Sequence, residues 1–356
     1  MSTHIDFSRR TVLKTAVAAA LTPLCGQALP ALASEAHHAS EISIIQPKRP
    51  DKLLAELSAP HFTEALAQAV LAFLQTHYSQ GNVPVWKKPL AHFDMGRRVL
   101  SIARHVVQAA TRHATIYPVD PCWIMGQIMA ESFFYEFAVS SALAVGPCQF
   151  IAPTAKGYGL ICADTRVVDA ALVRRIDLEE NFALATTYRQ QLTALRRTHQ
   201  DVLKSPEKIL RACIQAYTAG TPLPDLAHYG QVYDQVAALQ NKYSTARNAY
   251  RSFLEENFQG RDIDNTVDQI FLEQFDQRVL PAYAANAMVR MMAEHLRTLN
   301  GNILAATAGY NAGLGNARYD ARMYAAFGRI PNFAETVDYV SKIVINHHEI
   351  RQRMYA

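Results

Sequence analysis

The chain has 356 residues, 50% of them hydrophobic and 19% charged, a globular composition that excludes disordered and fibrous classes and leaves room for one large domain or two smaller ones. Its 35 Lys and Arg against 31 Asp and Glu give a net charge of +4, too small an excess to indicate nucleic-acid binding, which calls for a concentrated basic patch. No apolar run of 18 residues follows the N-terminal segment, so the body of the chain carries no membrane-span signal.

Residues 1–33 have the anatomy of an export signal. Ser8-Arg9-Arg10-Thr11-Val12-Leu13-Lys14 is a twin-arginine pattern, a mostly apolar stretch runs from Thr15 to Leu24, and Ala31-Leu32-Ala33 supplies an A-x-A cleavage site. The expectation is a periplasmic protein exported by the twin-arginine route. Cleavage removes three basic residues (Arg9, Arg10, Lys14) and one acidic residue (Asp6), which lowers the net charge from +4 to +2. Cys122, Cys148, Cys162 and Cys213 remain, an even number compatible with two disulfides or with buried thiols. No Cys-x-x-Cys or His-Glu-x-x-His pattern exists, so no metal site is expected.

Residues 34–60, rich in Ser, Ala and His with Gln46-Pro47-Lys48-Arg49-Pro50, read as a flexible leader. Phe62, Leu66, Ala69, Val70 and Phe73 recur at helical spacing, Gly81 to Pro89 breaks the pattern, and Val99, Ile102, Val106 and Ala110 mark a second helix over 95–113. Residues 61–115 are thus expected to form an N-terminal helical module. Asp120-Pro121 suits the cap and first position of the next helix. A loop follows from about Ser140 to Pro153. Helical periodicity dominates the rest, in Leu178–Leu195, Tyr233–Phe258 and Asn286–Leu299, and no convincing alternating strand run occurs. The expected fold is all-α.

The helix opened by Pro121 carries Ile124, Ile128, Glu131 and Tyr135 at i, i+4, i+7 and i+11. A carboxyl on an otherwise apolar stripe is costly to ionise, so its pKa is expected to rise, and a protonated carboxyl can act as a general acid. Glu131-Ser132 is followed by Ala138-Val139-Ser140-Ser141-Ala142, by Gly146-Pro147-Cys148-Gln149-Phe150 and by Pro153-Thr154-Ala155, with Ser140 and Gln149 lying 9 and 18 residues after Glu131. This order resembles the lytic transglycosylases of the soluble SLT type, a lysozyme-like family whose pattern is Glu-Ser, Ala-x-Ser, Gly-Leu-Met-Gln and Pro-x-Thr-Ala. Ala308-Gly309-Tyr310-Asn311-Ala312-Gly313 is similar to the family's Ala-Tyr-Asn-Ala-Gly block. Ile330-Pro331-Asn332-Phe333-Ala334-Glu335-Thr336-Val337-Asp338-Tyr339-Val340 resembles its closing Pro-Phe-x-Glu-Thr-x-x-Tyr-Val segment. The resemblance covers roughly residues 116–160 and 286–350. It makes 116–356 a lysozyme-like catalytic domain with a long helical insertion at about 161–285.

The resemblance implies a wall enzyme that needs no cofactor and acts on the glycan strands of peptidoglycan. It cleaves the β-1,4 bond between N-acetylmuramic acid and N-acetylglucosamine and leaves 1,6-anhydro ends. Carried over by position, Glu131 is the sole acid and base. Ser140 and Gln149 hold the sugar, Tyr310 sits beside the acid, Asn311 lines the groove, and Glu335 either lines the site or caps its helix in an Asn332–Glu335 capping box. Between Glu131 and Asp164 the only other acid is Glu136, expected to point away from Glu131, which suits attack by the sugar's own hydroxyl better than by water. Pro147 and Cys148 depart from the family's Leu and Met, and Pro147 removes a backbone N–H. Two other functions fit the same blocks: a lysozyme-like hydrolase, and a wall-binding or secretion-associated scaffold without catalysis.

Overall fold

A computed structural model of the chain describes residues 43–203, 205–318 and 326–355. The expected signal at 1–33 and the first part of the leader, 34–42, lie outside the described residues. The described chain is mostly helical, and its only strands are a two-residue pair, Asn82–Val83 and Lys88–Pro89. None of its helices is long and apolar enough to cross a membrane.

The chain divides into two compact units: residues 168–260, and the segments before and after them. The larger unit contains α1 (Pro50–Leu57), α2 (Phe62–Tyr78), α3 (Met95–His113), α4 (Pro121–Ser132) and α5 (Ala152–Gly157) from its first segment. Its second segment supplies α10 (Thr266–Phe275), α11 (Pro281–Thr298), α12 (Ile303–Ala312), α13 (Leu314–Arg318) and α14 (Ala334–Met354). One apolar cluster runs through both segments, from Leu66, Val70 and Leu74 on α2 and Val99, Ile102 and Val106 on α3 to Met288 and Met292 on α11 and Ile343 and Ile350 on α14. Residues 61–115 are therefore not a separate module, because their helices share one core with α4, α11 and α14. The expected helix over 95–113 matches the bounds of α3, with the Asp94 side chain accepting from the Arg97 amide at its start.

Two further boundaries differ from expectation. The described part of the leader is not loose: α1 forms within it, and tertiary bonds hold the strand-like residues before α1. The Gln46 amide donates to the Gly301 carbonyl at 2.9 Å, the Ile303 amide to Ile44 at 3.0 Å, and the Tyr117 hydroxyl to the Gln46 carbonyl. The insertion is also shorter than 161–285. Ile161 and Gln277 exchange bonds of 2.9 and 3.0 Å, and Asp276 accepts from the Ala163 amide, so residues 161–167 and 261–285 stay with the larger unit.

The smaller unit packs α6 (Asn181–Thr198) along α9 (Leu226–Phe258), with α7 (Gln200–Leu203) and α8 (Pro206–Ala219) between them in sequence. Its core comprises Ala185, Leu192, Val232, Ala246, Tyr250, Phe253 and Leu254. Phe182 and Tyr250 meet with ring centroids 5.0 Å apart. Buried Asn257 exchanges two bonds of 2.8 Å with the backbone of Arg174, tying the end of α9 to the start of the unit.

In the larger unit α4 and α14 run antiparallel. Asp120 caps α4 by accepting from the Cys122 amide, and its other oxygen takes 2.8 Å bonds from His347 and Arg351 near the end of α14. Midway, Gly126 lets the helices touch: a Cβ there would stand 3.1 Å from both Asn346 Cβ and the His347 amide nitrogen. Asn346 donates to the Gly126 carbonyl at 2.9 Å. Alanine would gain up to ~1 kcal/mol of helix propensity, but the obstructing atoms belong to a helix backbone and its first side-chain carbon, and overpacking costs ~1–3 kcal/mol. Gly126→Ala is expected to lower the thermal midpoint by about 2–4 °C per kcal/mol lost, read by calorimetry.

Burial works to raise the Asp120 carboxyl, but hydrogen bonding and charge from His347 and the charge of Arg351 outweigh it and hold the group well below its ordinary value of 3.8. A depressed folded-state pKa stabilises fully above that ordinary value and is lost as the pH falls below it. Asp120→Asn should therefore cost about 1–3 kcal/mol at neutral pH and flatten the fall of stability below about pH 4 in chemical-denaturation series.

Candidate active site

All twelve residues of α4 are buried. A helix apolar on every side belongs at the centre of a fold, and its polar members, Gln127, Glu131 and Ser132, need partners from neighbouring elements. Glu131 is 2% exposed, and its Oε1 accepts a 2.6 Å bond from the Tyr339 hydroxyl on α14. Gln127, one turn earlier, donates from Nε2 to the Tyr339 oxygen at 2.9 Å. Ser132 donates to the Pro147 carbonyl at 2.8 Å.

The expected stripe from Ile124 to Tyr135 does not continue past Ser132. Phe133 and Phe134 adopt φ of 51° and 63°, the left-handed region that costs bulky residues of order 1–3 kcal/mol each, and this pair breaks the helical register before Tyr135. The turn is held from outside. The Trp86 indole N–H donates to the Phe133 carbonyl at 2.9 Å, and its ring lies 4.3 Å from that of Tyr135. Glu136 is buried at the same turn and takes two 2.7 Å bonds from the Arg98 guanidinium, a bidentate pair that commits this carboxylate.

Residues 138–150 form a cross-braced loop. The Val145 amide donates to Phe150 at 3.0 Å and the Gly146 amide to Ala138 at 2.9 Å. Ser140 is 6% exposed, and its hydroxyl oxygen accepts from the amides of Ala142 and Ala144 at 3.2 and 3.0 Å, so it turns the chain. Gln149, at φ of 50°, spends both amide protons on the carbonyls of Ala138 and Gly146, at 3.1 and 2.8 Å. Tyr310 on α12 is buried and donates to the Cys148 carbonyl at 2.7 Å. Asn311 accepts the Thr336 hydroxyl at 2.8 Å. Glu335, half-buried in the first turn of α14, does not complete a capping box: the cap position is Phe333, and no side chain closes it.

These bonds close a ring of elements. Ser132 ties α4 to the loop, Tyr310 ties the loop to α12, Asn311 and Thr336 tie α12 to α14, and Tyr339 returns from α14 to Glu131. Glu131, Tyr310 and Asn311 are thus joined through this ring, while Gln149 and Glu335 stand next in the chain to its members Cys148 and Thr336. Sequence reasoning did not single out three participants. Tyr339 stood in the closing block, and Gln127 stood four residues before Glu131, a helical neighbour. Arg278 gave no local signal: it pairs with buried Asp276 at 2.6 Å and reaches the carbonyls of Leu143 and Phe150 at 3.3 and 3.1 Å, bracing the loop from behind.

Cys122, Cys148, Cys162 and Cys213 are free thiols. Burial pushes the thiols of Cys122 and Cys148 well up and that of Cys162 to about 12, so these three are poor nucleophiles. Among the described residues no group of three or more His, Cys, Asp or Glu could hold a metal ion.

A Cβ on Gly146 would meet the Arg278 carbonyl oxygen at 1.8 Å, and its φ of 82° is one L-residues avoid. Gly146→Ala is expected to cost at least ~2 kcal/mol and to release the loop, seen as faster amide exchange at Val145 and Gln149. Comparison with protein-family models, with curated proteins and with solved structures returns no match for the chain.

Proposed function

We propose that the chain is a lytic transglycosylase on a lysozyme-like fold, with Glu131 as sole acid and base and the glycan strands of peptidoglycan as substrate. The observation that carries this reading is the buried Glu131 carboxyl, hydrogen-bonded by Tyr339, with the next acid along the chain, Glu136, already committed to Arg98. The twin-arginine pattern of residues 8–14 supports delivery to the periplasm, where that substrate lies.

The chemistry follows from one carboxyl group. Glu131 in its acid form gives its proton to the glycosidic oxygen as the bond to C1 of the muramic sugar breaks. The carboxylate left behind is stabilised by the Tyr339 hydroxyl on Oε1. It then takes the proton from the C6 hydroxyl of the same sugar, whose oxygen bonds to C1. The products are a free 4-hydroxyl and a 1,6-anhydro end; no water is consumed, and Glu131 finishes protonated as it began. In this reading Ser140, Gln149 and Tyr310 shape the loop that borders the substrate, and Asn311 and Glu335 lie on the two helices that close the ring.

A second reading, a wall-binding scaffold, draws on the same loop, because Ser140, Gln149 and Tyr310 all bond to protein. Digestion of purified peptidoglycan by the protein and by Glu131→Gln, with products weighed by mass spectrometry, separates the readings. The expected result is anhydro ends, one water lighter than reducing ends, released at least about 100-fold more slowly by the variant. Reducing ends alone would make the protein a hydrolase. No release, or equal release by the variant, rejects the proposed chemistry.

A further inference from the structure

α2 and residues 90–96 leave an open groove of about 540 Å³ between them, within the ~300–1,000 Å³ usual for small-ligand sites. Leu71, Leu90 and Phe93 give it apolar surface, and Gln68, Gln75 and Ser79 give it hydrogen-bonding groups. Gln68 and Gln75 stand two turns apart on one face of α2, and both are exposed, as is Ala72 between them. Residues 68–96 lie outside the two stretches, 116–160 and 286–350, that carry the sequence resemblance.

Aromatic rings join this groove to the candidate site. The Phe93 ring lies 4.0 Å from that of Trp86, and the Trp86 ring 4.3 Å from that of Tyr135. All three residues are only half-buried. The Trp86 indole N–H holds the Phe133 carbonyl, two residues past Glu131. A polymeric substrate extends beyond the acid that cleaves it, and this row of rings leads from the turn after Glu131 to the groove.

The lining selects the chemistry of the ligand. Pyranose rings present C–H faces that pack on aromatic and aliphatic side chains, and hydroxyl and acetamido groups that pair with amides and hydroxyls. Of the lining residues only Asp94 is ionisable. Its carboxyl accepts from the Arg97 amide at 3.0 Å and stands 3.7 Å from the Arg97 guanidinium. The groove therefore offers no cation to an acidic peptide stem, while its amides and apolar surface suit a neutral chain of N-acetylated sugars. We propose that the groove between α2 and residues 90–96 is a second glycan-binding site, which holds sugars of the strand beyond the bond that breaks. Its role in cleavage rests on the reading of Glu131 as the acid of a peptidoglycan enzyme; binding of sugar there does not require that chemistry.

The test observes the groove directly. In isotopically labelled Glu131→Gln protein, the side-chain NH2 resonances of Gln68 and Gln75 are followed by NMR as an N-acetylglucosamine tetramer or the isolated stem peptide is added. The expected result is a saturable shift of both amides with the sugar and none with the peptide, and loss of the shift when Ala72→Trp fills the groove from its exposed position. Amides that stay flat with the sugar, or that shift only with the peptide, overturn the proposal. With Glu131 in place, Ala72→Trp is expected to slow cleavage of long uncrosslinked strands at low concentration about 10-fold and to leave a tetrasaccharide fragment unaffected. An unchanged rate on long strands, in a variant that keeps the parent's thermal midpoint, also overturns it. Sugar-dependent shifts in a protein that releases no anhydro ends would reject the functional reading alone, and anhydro ends with flat amides would reject this site alone.

Discussion

The close passage of α14 across α4 is the constraint on which the larger unit depends. Gly126 has no side chain to hold the helices apart, Asn346 bonds the Gly126 carbonyl, and Asp120 grips His347 and Arg351. Because the helices are antiparallel, fixing the start of α4 to the end of α14 brings the end of α4 to the first turns of α14. That alignment delivers Tyr339 to Glu131. A buried carboxyl is tolerable only where a donor is held in place, and here the donor's position is set by backbone contact rather than by a flexible side chain.

The loop of residues 138–150 shows what polar residues at a candidate site can do besides touching a ligand. Ser140 and Gln149 bind the backbone of their own loop, and Tyr310 and Arg278 hold it from two sides. The outcome is a stiff segment beside Glu131, anchored by Ser132. The left-handed pair Phe133–Phe134 stores strain in the adjoining turn, and Trp86 and the Arg98–Glu136 pair restrain it. Rigidity of this kind is what a group needs if a bound molecule is to meet it at a fixed distance.

Much of the helical framework was legible because apolar spacing and caps are local signals. The bounds of α3 and the Asp120 cap of α4 followed from them. Glu131 was legible as an acid among apolar neighbours, and the closing block contained Tyr339 without marking it, since a tyrosine at helical spacing looks like core. What was not legible depends on partners far away in sequence. The Asp276–Arg278 pair is two residues apart, yet its meaning lies in carbonyls more than a hundred positions earlier. Residues 43–60 have the composition of a loose leader, and partners distant in sequence make them part of the fold: Gly301, Ile303 and Tyr117 bond residues 44–46, and Leu53 of α1 is buried. The Asn332–Glu335 spacing mimics a capping box, but the helix begins one residue later than that motif requires.

Arg174 binds the far end of α9 through Asn257 and also donates to the Gln259 carbonyl at 2.8 Å, so the two ends of the smaller unit are pinned side by side. This has a consequence for the order of folding. Glu131 and Tyr339 lie on opposite sides of an interruption of about 90 residues, and joining them across a slack chain of that length costs about 2 kcal/mol more than closing a connection of about ten residues. Once the smaller unit has folded on its own, its pinned ends turn the long detour into a short one. The interruption then ceases to be a burden on the assembly of the ring around Glu131 and becomes, in entropic terms, little more than a clasp between its two halves.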